Sequence, residues 1–123
     1  MKTAVGIHFY FRMYKQGDII VVKFPFTDGS EFKKRPALVV SNELVNKTGD
    51  YLIVQITSKI NNDGLSVSIE NNDFLLNLPL KSYIRTHKIF TVNESLVLSK
   101  ITTASPNFLK IISGKIYKLI TVE

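Results

Sequence analysis

The 123-residue chain contains no cysteine, which excludes a disulfide framework, thiol catalysis and any zinc site built on cysteine. Its two histidines, His8 and His87, are too few for an all-histidine metal site within one chain. No apolar run approaches the ~20 residues of a membrane-spanning helix. The nearest thing to a targeting signal, Thr3 to Phe11, is interrupted by His8 and has no small-residue cleavage site before Arg12. A signal peptide is therefore not expected, and the cytoplasm is the default location. Linkers, internal repeats and low-complexity tracts are missing. So are a P-loop, a His-Glu-x-x-His pair and a Gly-x-Ser-x-Gly elbow. Asp18, Asp28, Glu31, Asp50, Asp63, Glu70 and Asp73 are scattered, mostly in expected turns, without the spacing of a metal cluster. Any chemistry is expected to need neither metal nor cofactor.

What is present suits one domain with one core: 45% hydrophobic residues and a mean hydropathy of +0.10. Lys and Arg number 16 against 10 Asp and Glu, a net charge of +6 with a sequence pI near 9.6. That excess points to an anionic partner, whether nucleic acid, an acidic protein or a membrane surface. Bulk charge does not choose among them.

Turn signals recur at short intervals: Gly17-Asp18, Thr27 to Ser30, Lys47 to Asp50, Asn61 to Gly64 and Asn71 to Asp73. Between them lie β-branched and aromatic runs of strand length, Ile19 to Phe24, Pro36 to Ser41, Tyr51 to Ser58, Leu65 to Ile69 and Tyr83 to Phe90. Such a series predicts a small barrel or sandwich. The period then changes. Ser105-Pro106 reads as an N-cap followed by proline at the first helical position, and Phe108, Leu109, Ile112, Ile116 and Leu119 recur at helical spacing. A mainly β barrel closed by one C-terminal helix is the expected fold. Residues 1–13 read as an N-terminal extension and 14–123 as the domain.

Three segments set polar groups among apolar strands. Lys33-Lys34-Arg35-Pro36 places three cations at an expected strand entrance, a rigid corner suited to phosphate or simply a solvated basic turn. In Gln55-Ile56-Thr57-Ser58 the hydroxyl of Thr57 gains interest only beside a cation, since strand threonines usually serve β propensity. In Ser82 to Thr91, Arg85 and His87 are two apart and, in an unbroken strand, share a face. A guanidinium beside an imidazole can bind phosphate and move a proton near neutral pH. A solvent-facing edge strand has the same pattern.

The order of these segments resembles the MazF/PemK family of toxin endoribonucleases. Gly17-Asp18-Ile19-Ile20 with Phe24-Pro25-Phe26-Thr27-Asp28 is similar to the family's opening strand and loop, and Lys34-Arg35-Pro36-Ala37-Leu38-Val39-Val40-Ser41-Asn42 to its most recognisable motif. Ile56-Thr57-Ser58 and Ser82-Tyr83-Ile84-Arg85 through Lys88-Ile89-Phe90-Thr91 resemble the next two. The resemblance runs from about Tyr14 to the C-terminus. It implies an SH3-like barrel (MazF/CcdB-type) with a C-terminal helix, usually a homodimer, that cleaves single-stranded RNA without metal to leave 2′,3′-cyclic phosphate and 5′-hydroxyl ends.

Carried over by residue, the resemblance makes Arg35 and Thr57 active-centre groups and Arg85 a second arginine, assigned as proton donor in PemK-type members. Some of those members have an aspartate as proposed base where this chain has His87, which can take the same proton. RNA-binding candidates are Lys33, Lys34, Lys59 and Ser58 for the backbone, with Phe32 and Tyr83 for base stacking. Phe26 is equally a core candidate. Residues 28–34 are expected to form a mobile loop over the site. The resemblance further implies an acidic antitoxin as partner, promoter DNA bound only by the toxin–antitoxin complex, and no membrane. A non-catalytic barrel of the same fold, DNA-binding or gyrase-directed, and an inactive family member are the alternatives.

Overall fold

A computed structural model of the chain describes residues 14–25, 32–70, 72–74, 78 and 80–123. Six antiparallel strands are ordered β4-β5-β3-β2-β1-β6: β1 Asp18–Pro25, β2 Phe32–Val39, β3 Asp50–Thr57, β4 Ser66–Ser68, β5 Tyr83–Asn93 and β6 Val97–Thr103. Helix α1, Glu43–Asn46, follows β2, a 3₁₀ turn at Glu94–Leu96 joins β5 to β6, and helix α2, Pro106–Ile120, ends the fold. The sheet is not closed by pairing between β4 and β6, so "barrel" describes it only loosely. A single bridge, Phe74 to Ala104, links the segment after β4 to the end of β6. No helix among the described residues is long and apolar enough to cross a membrane.

Alternation along the strands sorts the core into two clusters on opposite faces of the sheet. Ile19, Leu38, Val54, Ile56 and Ile84 lie under α2 with Phe108 and Ile112. Ile20, Val22, Ala37, Val39, Tyr51, Ile53 and Val92 form the second cluster, against which Tyr14, Phe24, Leu96 and Val97 pack. The helix begins as its sequence predicts. The Ser105 side chain accepts the Phe108 N–H at 3.2 Å, with Pro106 in the first turn. Phe108 and Ile112 are buried and Leu109 and Ile116 half-buried, but Leu119 is exposed and leaves the expected stripe. Burying the first two contributes about 2 kcal/mol each.

The start of β1 is fixed from both sides. Gly17 takes a φ of +97°, where a side chain is strained, donates to the Val39 carbonyl at 2.8 Å and accepts from the Ala104 N–H at 2.8 Å. Asp18 is buried, accepting the Lys15 N–H at 2.8 Å and the Thr103 hydroxyl at 3.1 Å, with the Lys100 ammonium at 3.3 Å.

Three local expectations change. Strand β2 starts at Phe32, so Lys33, Lys34 and Arg35 form no corner but pair with Phe24, Lys23 and Val22 of β1. Phe32 is likewise the first residue of a strand, paired with Pro25, and not part of a loop. Strand β6 was not expected, because Leu98, Ser99, Lys100 and Ile101 are all exposed and carry little strand alternation. Residues 1–13, Phe26 and the loop at 26–31 lie outside the described residues.

Candidate active site

Two neighbouring groups of side chains result. The first lines a cleft of about 460 Å³. Arg35, Pro36, Gln55, Ile56, Thr57, Ser58, Lys59 and Ser82 line it, with Val21, Leu78, Leu80 and Ile101 as its remaining apolar wall. Members of both alternation sets contribute, so the cleft opens across the end of β3 where residues 57–59 leave the sheet. Arg35 and Thr57, 22 residues apart in the chain, are thereby brought together. The pairing of β2 with β3 ends at Ala37–Gln55, and Arg35 and Thr57 each lie two residues past it, at the same end of the two strands.

The Thr57 hydroxyl accepts the Lys59 N–H at 3.1 Å. A hydroxyl has one donor hydrogen and two acceptor lone pairs, so this bond orients Oγ1 and leaves its hydrogen to donate. Ser58 and Lys59 are exposed. Among the described residues no carboxylate pairs with the Arg35 guanidinium, which is half-buried.

The second group centres on β5. Tyr83 pairs with Thr57, and Arg85 with Gln55, so these four share one face of the sheet. Arg85 and Tyr83 are half-buried and do not line the cleft. An Arg85 Nη donates to Asp63 Oδ2 at 3.0 Å, while Asp63 Oδ1 accepts the Leu65 N–H at 3.0 Å. The Leu65 N–H, and after it the charges of Arg85 and His87, hold the Asp63 carboxyl below its ordinary value against the opposing effect of desolvation. Asp63 thus ties the Arg85 guanidinium to the β3–β4 connection.

Pairing with β3 does not itself carry the shared face expected of Arg85 and His87. Val54 pairs with Ile89 but Gln55 with Arg85, leaving Thr86, His87 and Lys88 without partners on β3. Alternation cannot be counted across such a bulge. Thr86 is buried and donates to the Leu65 carbonyl at 2.7 Å, and His87 is exposed.

Of the RNA-binding candidates, Lys33 and Lys34 are exposed on β2, and Phe32 is 60% exposed at its start. Two residues were missed in the sequence. Asp63 was set aside as a turn acid, since nothing local ties it to an arginine 22 positions on. Lys23 lies directly opposite Lys34, in the alternation set of Val21 and Pro36 that lines the cleft. Like charges facing each other across a pair are unfavourable, and an anion between them relieves the repulsion. Among the described residues no group of three or more His, Asp or Glu is arranged to hold a metal ion.

An antiparallel sheet with a C-terminal helix packed on one face is a fold shared with solved toxins. The chain is similar to a mycobacterial endoribonuclease solved in complex with its cognate antitoxin, at 18% identity and a TM-score of 0.72, covering 89% of this chain and 99% of that one. The MazE-MazF crystal structure, form II, of Deinococcus radiodurans has 20% identity, a TM-score of 0.74 and coverage of 90% and 98%. The Mycobacterium tuberculosis toxin MazF-mt6 has 15% identity, a TM-score of 0.67 and coverage of 86% and 98%. These likenesses establish the fold. No curated protein matches the chain by sequence. The model of the PemK-like, MazF-like toxins of type II toxin-antitoxin systems matches residues 15–120, and the chain belongs to that family.

Proposed function

We propose that the protein is an endoribonuclease toxin that cuts single-stranded RNA without a metal ion. The observation that carries this reading is the convergence of Arg35 and Thr57 on one cleft, with Arg85 held across from the cleft residue Gln55. In a family of toxins, and beside solved relatives described as endoribonucleases, two guanidiniums and an oriented hydroxyl supply what phosphoryl transfer needs. His87 removes the proton of the ribose 2′-hydroxyl, and the O2′–P bond forms as the P–O5′ bond breaks in line. Arg35 and Arg85 stabilise charge on the phosphorane oxygens, and Thr57 donates to a non-bridging one. A guanidinium holds its proton too tightly to give it up, so a water protonates the leaving 5′-oxygen, and the hydroxide it leaves takes back the proton from His87. The products are a 2′,3′-cyclic phosphate and a 5′-hydroxyl.

Lys23, Lys33, Lys34 and Lys59 hold the RNA backbone, and Phe32 and Tyr83 stack on unpaired bases. The working form is a homodimer. An acidic antitoxin neutralises it by covering the cationic cleft, and promoter DNA is bound only by that complex. The test is cleavage of a long single-stranded transcript in EDTA, with the ends mapped. Arg35→Ala and Arg85→Ala are expected to lose ~10²–10⁴-fold in rate. His87→Ala is expected to lose a comparable factor. Full activity in either arginine variant, or cleavage abolished by EDTA, refutes the scheme.

A further inference from the structure

We infer that Asp63 is a positioning residue that aims the Arg85 guanidinium at the scissile phosphate. The inference rests on the endoribonuclease reading and deepens it. Asp63 is anchored before it meets Arg85, because its Oδ1 is committed to the Leu65 N–H at 3.0 Å, at the start of the segment that forms β4. Its Oδ2 then takes one guanidinium nitrogen at 3.0 Å, with the Arg85 side chain only 15% exposed. Little else among the described residues directs that guanidinium. Arg85 Nε is buried without a hydrogen-bond partner, and so is the Oγ of Ser66, the residue paired with Arg85 across β4 and β5.

A guanidinium held at one end by a fixed carboxylate presents its remaining N–H groups in one plane, which is the geometry that phosphate recognition uses. The lowered Asp63 carboxyl pKa is consistent with this, since the acid stays ionised wherever the reaction runs. Asp63 itself touches no reacting atom.

The experiment is single-turnover cleavage at one mapped site, under enzyme excess and over hours, by D63A, D63N, R85A and the double variant, with Tm measured for each. D63A is expected to lower the rate about 10- to 100-fold by misplacing the guanidinium, with half-saturation and Tm little changed. D63N recovers part of the rate, because its one amide oxygen still accepts from Leu65 or Arg85. On the R85A background D63A changes nothing. A D63A rate equal to wild type, or a loss of the same factor on the R85A background, overturns the positioning role while leaving Arg85 in place. R85A at the wild-type rate overturns the role of Arg85 and the inference with it.

Discussion

Replacing Thr57 by valine isolates one hydroxyl. Valine is nearly isosteric and keeps the β-branched shape that β3 favours, so the strand and its pairing with Tyr83 persist. The substitution removes two things. One is the acceptor for the Lys59 N–H at 3.1 Å, a bond at an exposed position where water takes its place. That loss costs less than about 1 kcal/mol of stability. The other is the Oγ1 hydrogen, which the proposed mechanism gives to a non-bridging phosphate oxygen. Removal of one preorganised donor to developing charge costs about 10²–10³-fold in rate, or roughly 2.7–4 kcal/mol. Activity and stability are therefore predicted to separate. Thr57→Val melts within a few degrees of wild type yet cleaves on the order of 100-fold more slowly, with KM little changed. Thr57→Ser, which restores the hydroxyl, returns most of the rate. The assay is steady-state cleavage of an oligoribonucleotide carrying one cut site, alongside thermal denaturation. A Thr57→Val protein within about threefold of the wild-type rate would show that the hydroxyl only closes the Lys59 turn.

Two further outcomes concern the scaffold. Asp18→Ala leaves the Lys15 N–H and the Thr103 hydroxyl without their acceptor and is expected to cost about 3 kcal/mol in urea denaturation. Lys100→Ala removes only a half-exposed ion-pair partner and costs under about 1 kcal/mol, so equal losses in the two variants would refute this division. Gly114→Ala is expected to stabilise the protein by about 0.5–1 kcal/mol, because the position is interior to α2 and an added Cβ meets nothing within 4 Å. A lower melting temperature in that variant would contradict the open environment.

The strongly local features were legible in the sequence. Ser105-Pro106 announced the start of α2, Gly17-Asp18 the turn before β1, and the apolar runs most of the strands, since capping, left-handed turns and β-branching act within a few residues. What depends on pairing was not legible. Whether Lys33 to Arg35 sit in a turn or a strand is decided by Phe24, Lys23 and Val22 opposite them. Polar β6 is a strand because β1 needs a partner on its second edge. The site divides in the same way. Arg35, Thr57 and Arg85 stood out through the resemblance, whereas Asp63 emerged only once β4 had folded back on β5. The alternation that sets Arg85 beside His87 runs into residues 86–88, which β3 does not pair.

The slip in β5 acts as an expansion joint. In an ordinary strand, gaining or losing one residue turns every later side chain to the other face of the sheet. Here Val54 pairs with Ile89 and Gln55 with Arg85, and residues 86–88 take up the difference, Thr86 tied to Leu65 and His87 and Lys88 exposed. Length can drift at exposed His87 and Lys88 while the arginine end and the apolar end of the strand each keep their phase. The half of β5 that carries Arg85 can thus be re-tuned in evolution without disturbing the half that closes the core around Val92.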